Sequence, residues 1–93
     1  MHYLYIIYSS SLDKFYTGET TDVQERLLKH NEHAYQKAFT KAADDWTIKL
    51  QKKCENKSDA VYLEQFIKRM KSKKFILKII QNPEILDDIL SKK

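Results

Sequence analysis

Glycine, proline and cysteine occur once each in this chain of 93 residues. The lone Cys54 excludes an intramolecular disulfide and a cysteine-cluster zinc site, which suits a reducing compartment and a cytoplasmic protein. Long apolar runs are missing as well. None nears the roughly 20 residues that cross a bilayer, and the N-terminus lacks the basic and then small-residue pattern of a signal peptide. There are no repeats, low-complexity tracts or linkers, so a single domain over residues 1–93 is expected. What is present is a hydrophobic share of 42% at regular spacing, which excludes disorder.

The net charge of +4 is unevenly spread. Residues 1–48 carry five Lys/Arg against seven Asp/Glu, a net of −2, and residues 49–93 carry twelve against six, a net of +6. The basic second half suits a polyanion, most commonly nucleic acid, although lysine-rich helices also serve simply as solvated faces.

Two tyrosine-bearing runs open the chain, Tyr3-Leu4-Tyr5-Ile6-Ile7-Tyr8 and Lys14-Phe15-Tyr16-Thr17-Gly18, with a polar turn between them. They read as a β-hairpin whose first arm is apolar on both faces and therefore central. Pairing Tyr8 with Asp13 across a four-residue loop sets Tyr5 opposite Tyr16, and opposed side chains share a face. Gly18 is expected to end the second arm. Thr21 or Asp22 caps a helix with Glu25 in capping-box position, and Val23, Leu27, Leu28 and Ala34 form its apolar face, with Arg26 and His30 on a ridge at its edge. Residues 32–45 read as an irregular connection with a turn of helix around 34–38.

Trp46 to Cys54 alternates apolar and polar residues, predicting a third, edge strand with Trp46, Ile48, Leu50 and Cys54 on one face. Asn56 or Ser58 caps a second helix with a buried stripe of Ala60, Leu63, Ile67 and Met70, and Glu64 stands at the shoulder of that stripe. Residues 75–80 have a strand-like composition but sit among helical neighbours, which favours a short helix. Asn82-Pro83-Glu84 starts the last helix, with Ile85, Leu86, Ile89 and Leu90 on its apolar face.

The order Tyr3-Leu4-Tyr5, Tyr16-Thr17-Gly18, Arg26 with His30, then Glu64, resembles the GIY-YIG nuclease superfamily, in particular its small stand-alone members. The likeness extends through Glu19-Thr20-Thr21-Asp22-Val23, Asn31, Phe39-Thr40-Lys41 before Trp46, and Ile67-Lys68. The glycine of the first motif is Tyr3 here and the isoleucine of the second is Thr17. The resemblance implies an α+β fold, a three-stranded antiparallel sheet flanked by helices in the order ββαβαα, to which this chain adds a C-terminal helix. It also implies phosphodiester hydrolysis assisted by one divalent metal, Mg²⁺ or Mn²⁺, and because the sequence shows no sequence-reading module the expected substrate is DNA at structured or damaged sites.

By the same resemblance Tyr5, Tyr16, Arg26, His30 and Glu64 are the catalytic residues, with Glu64 the metal ligand, and Lys68, Lys71, Lys73 and Lys74 are candidates for nucleic-acid contact. A tyrosine near the scissile phosphate takes a proton from water only if cations or metal lower its pKa from about 10. An arginine fork suits the charge that builds on phosphate oxygens, and magnesium needs few protein ligands because it keeps its waters. Each residue also has an ordinary structural role: strand aromatics, a solvated helix edge, a Glu64–Lys68 pair at i,i+4. A non-catalytic nucleic-acid binder and a protein-interaction module using the Ile85/Leu86/Ile89/Leu90 face are the competing functions, and the oligomeric state, a homodimer included, is open.

Overall fold

Leu4, Ile6, Tyr5 and Ile7 alternate along one strand, and all four are buried, so this strand must be covered on both sides. A computed structural model of the chain, describing residues 1–32 and 43–93, shows how. Strands β1 (His2–Ser9), β2 (Lys14–Thr20) and β3 (Trp46–Cys54) form an antiparallel sheet in the order β2-β1-β3. Helices α1 (Val23–Asn31), α2 (Lys57–Met70), α3 (Lys73–Gln81) and α4 (Glu84–Ser91) complete the order ββαβααα. The expected α+β class, the central first strand, the edge position of β3 and the helix over residues 75–80 are all observed.

The sheet separates two cores. Leu4 and Ile6 pack with Ala60, Leu63 and Ile67 of α2, Ile79 of α3 and Leu86 of α4. Tyr5 and Ile7 pack with Val23, Leu27, Ala43 and Trp46 on the α1 side. Each fully buried aliphatic contributes roughly 1.5–3 kcal/mol relative to exposure.

Several sequence expectations are corrected. The hairpin pairs Tyr5 with Gly18, Ile7 with Tyr16 and Ser9 with Lys14, so the register is offset by two from a Tyr5–Tyr16 pair. An even offset keeps every side chain on its expected face. The turn moves because Ser9 stays in the strand, its hydroxyl donating to Asp45 Oδ1 at 2.5 Å, while Asp13 closes the loop in the left-handed region at φ 51°. Gly18 does not end β2, which continues to Thr20.

In β3 the pairing jumps from Ile6–Leu50 to Ile7–Ile48, leaving Lys49 as a bulge. Trp46 and Ile48 therefore face α1 while Leu50 and Cys54 face α2. Strict alternation hid the bulge because both faces of the sheet want apolar residues. On α1 the inward positions are Val23, Leu27 and His30, and Leu28 is 60% exposed. Met70 is also exposed, at the end of the α2 stripe. Asp22 and Asn56 cap α1 and α2, each accepting from a backbone N–H three residues on. Asn82 closes α3 instead of opening α4, whose cap is Pro83. Glu19 is a strand residue facing the α2 side, with Oε2 buried 3.5 Å from His2 Nε2. Ala34, the helical turn at 34–38 and the 39–41 segment lie outside the described residues.

The hairpin tip is tied to the start of β3 by one carboxylate. Asp45 accepts from the hydroxyls of Ser9, Ser10 and Ser11 and from the Ser11 backbone N–H at 2.8 Å. These donors hold its carboxyl well below the usual carboxylate range, the Ser9 hydroxyl most strongly. With the folded value below the unfolded one, this stabilisation is complete above the unfolded pKa near 3.8 and is lost as acid protonates the folded carboxylate. Asp45→Ala is expected to lower the thermal midpoint at pH 7 and to flatten its decline at the acid end, both readable by circular dichroism.

Candidate active site

The site begins with the contact between Tyr5 and Gly18. These residues are opposed across β1 and β2, and the tyrosine ring lies over the glycine. A Cβ built on Gly18 would stand 2.5 Å from Tyr5 Oη and 2.6 Å from Cζ. The backbone of Gly18 is not in the left-handed region, so the glycine is required for space.

With the hydroxyl end of its ring over Gly18, Tyr5 reaches α1. There it meets His30 Nε2 at 2.9 Å, a buried hydrogen bond between two side chains 25 residues apart. Both residues are almost fully buried, Tyr5 at 1% and His30 at 2% exposure. Tyr16, on the same face of the sheet, closes the triangle: its ring centroid lies 6.4 Å from that of Tyr5 and 5.0 Å from that of His30. Tyr16 and Arg26 are only half-buried, so the cluster is open on their side.

His30 is a core-facing residue of α1, inward with Val23 and Leu27, and not part of a solvated helix edge. Burial first, and the Arg26 guanidinium second, lower its pKa from 6.5 to about 4. The imidazole is therefore neutral at physiological pH, able to accept the Tyr5 proton at Nε2 if its own proton sits on Nδ1. The helix is anchored beside it by Asn31, whose amide donates to the Trp46 carbonyl at 3.1 Å and accepts from the Trp46 N–H at 2.8 Å. No periodicity marks Asn31 for this role; the signal is its place directly after His30 within the family likeness.

A folded state that resists a proton which the unfolded chain accepts loses stability in acid. The contribution tied to His30 is complete above about pH 6.5 and drains as pH falls toward 4, amounting to no more than about 3 kcal/mol. The urea midpoint is expected to drop across that window in the parent protein and to stay flatter in His30→Gln.

Glu64 comes from the opposite side of the sheet. It lies on α2, its side chain one-fifth exposed, and pairs with Lys68 at 3.1 Å. The Lys68 ammonium is also 5.3 Å from the centroid of the Tyr16 ring. Because β2 is an edge strand, α2 reaches round it to Tyr16, and Lys68 joins the carboxylate to the aromatic cluster. The structure thus brings together Tyr5, Tyr16, His30 and, through its field on His30, Arg26, with Glu64 connected through Lys68. Tyr16, Lys68, Lys71 and Lys73 line a groove along the same edge, and Lys74 is not among its lining residues.

The two tyrosine motifs, the Arg26–His30 spacing and Glu64 fall within the match of this sequence to the GIY-YIG catalytic domain, which covers residues 1–76. The chain belongs to the GIY-YIG family. A UPF0213 protein of Halobacterium salinarum is 36% identical over 70 residues, which cover 75% of this chain and 88% of that protein. No solved structure matches the chain. Family membership gives this GIY-YIG domain a nuclease-type fold, and Tyr5 and Tyr16, both inside the matched range, are the pair whose rings meet His30.

Proposed function

We propose that this GIY-YIG domain is a metal-dependent endonuclease that hydrolyses phosphodiester bonds in DNA, at structured or damaged sites. The observation that carries this reading is the buried Tyr5–His30 hydrogen bond, with Tyr16 beside it and Arg26 close enough to depress the imidazole. A buried tyrosine hydroxyl needs a hydrogen-bond partner even for packing, but this partner is a neutral imidazole beside an arginine, a group that can also take the hydroxyl's proton. A tyrosine that must take a proton from water gains an acceptor for its own.

In this reading the phosphate enters from the open side, past Tyr16 and Arg26. Its negative charge offsets the field of Arg26 and raises the basicity of His30. Tyr5 then takes the proton of the attacking water while its own moves toward His30 Nε2. The Arg26 guanidinium donates to the non-bridging phosphate oxygens, where charge accumulates.

Glu64 is the residue to hold a metal. Among the described residues no three His, Cys, Asp or Glu side chains gather into a site. A lone, partly exposed carboxylate fits Mg²⁺ or Mn²⁺, which retains most of its waters, far better than an ion that needs an all-protein cage. Bound there, such an ion would neutralise charge on the leaving oxygen.

Incubating purified protein with single-stranded, flap and duplex DNA tests the reading. Cutting should require Mg²⁺ or Mn²⁺ and disappear in Glu64→Ala and Tyr5→Phe. Salt-dependent binding without cutting, unchanged in Glu64→Ala, would instead identify a non-catalytic binder.

A further inference from the structure

Along the outer edge of β2 a groove of about 390 Å³ runs between that strand and the junction of α2 with α3. This is near the lower end of volumes that bury small ligands, roughly 300–1,000 Å³. Phe15, Ile67 and Ile76 give it an apolar lining, Lys14, Lys68, Lys71 and Lys73 add ammonium groups, and the one carboxylate among its described lining residues, Asp13, is paired with Lys73. Tyr16 lines it too, while its ring lies 5.0 Å from that of His30. The groove therefore opens directly off the site described above.

Its two kinds of lining ask for different chemistry. Ammonium groups suit phosphates, and for that purpose no apolar floor is needed. The floor gains only from a ligand with an apolar face. A nucleotide whose base has left the stack offers a flat base and flanking phosphates together. A paired duplex hides its base faces and presents phosphates and groove edges.

Lys71 adds a separate observation. It closes α2 in the left-handed conformation, φ 48°, where glycine is the usual residue and a side chain is disfavoured. Lys68 and Lys73 are paired with Glu64 and Asp13, whereas Lys71, among the described residues, makes no ion pair. An unfavourable backbone conformation thus places an unpaired ammonium on the groove.

We infer that this groove receives one unstacked nucleotide of the substrate strand, next to the phosphate that is cut. The substrate class is then single-stranded or locally unpaired DNA and not intact duplex. This rests on the nuclease reading for the identity of the strand.

Fluorescence anisotropy in EDTA, where cleavage is blocked, tests it. The probes are a labelled oligothymidylate, the same backbone carrying abasic residues, and a blunt hairpin duplex. The oligothymidylate is expected to bind about tenfold more tightly than either of the others, as base–aromatic contact implies. Lys71→Gly, which relieves the backbone, should reduce the slope of log affinity against log salt by about 0.7 for the single strand. Phe15→Leu, which keeps an apolar side chain, should shrink the preference for the base-bearing strand over the abasic one. Equal binding of abasic and base-bearing strands, or equally tight binding of the duplex, would overturn the inference. Because binding is read without cleavage, a protein that prefers the single strand but never cuts would remove the nuclease reading and keep the groove. Cutting of duplex with no such preference would do the reverse.

Discussion

Gly18→Ala is expected to destabilise the protein by about 1–3 kcal/mol, the usual cost of overfilling a packed site, and to remove cleavage together with the Tyr5–His30 hydrogen bond. The new methyl would stand 2.5 Å from Tyr5 Oη, and the ring cannot retreat freely because it is 1% exposed and packed among Ile7, Val23 and Trp46. An unconstrained strand glycine behaves in the opposite way, since alanine there normally reduces the entropy lost on folding. The sign of the change in urea midpoint therefore decides the matter. In a Tyr5→Ala background the penalty should vanish, so the double-mutant cycle should show a coupling well above the few tenths of a kcal/mol seen for independent sites.

Arg26→Lys should reduce the cleavage rate by about 10²-fold or more while leaving the fold intact. Lysine keeps the charge but loses the planar fork that matches two phosphate oxygens at once, and removing one oriented donor from a developing oxyanion typically costs about 10²–10³-fold. An independent readout is the His30 titration followed by NMR. Arg26→Ala should raise the His30 pKa from about 4, because one of its two causes is gone, without restoring 6.5, because burial is the larger cause and persists. Arg26→Lys should leave it low.

Much of the fold was legible because apolar spacing reports burial directly. The double-faced apolar pattern of Leu4 to Ile7 marks a central strand, and Ala60, Leu63 and Ile67 mark the covered side of α2. Register was less legible. The choice between loops at 9–12 and 10–13 depends on Asp45, 36 residues from Ser9, which no local pattern reveals. The bulge at Lys49 was hidden for a related reason: with cores on both faces, a slip in alternation leaves the same apolar string.

At the site, motif order singled out Tyr5, Tyr16, Arg26, His30 and Glu64, but their arrangement needed the third dimension. His30 reads as a helix-edge polar residue until its seven-residue spacing from Val23 is seen to put both inward. The motif contains Gly18, but the reason it must be glycine is invisible in the sequence, because that reason is a ring on the neighbouring strand and not its own backbone angles. The connection of Glu64 through Lys68 to Tyr16 likewise depends on β2 lying at the sheet edge. Phe15 and Ile76 carry no chemical signal at all, and acquire a role only as the lining of a groove beside that edge.

The most direct measurement is single-turnover cleavage of end-labelled DNA by folded wild-type, Tyr5→Phe and Glu64→Ala proteins across a Mg²⁺ titration. A site that works as described gives Mg²⁺-dependent cutting by the wild type and none above background by either variant. Cutting that persists equally in all three, or that ignores Mg²⁺, would contradict the assignment of these residues to phosphodiester hydrolysis.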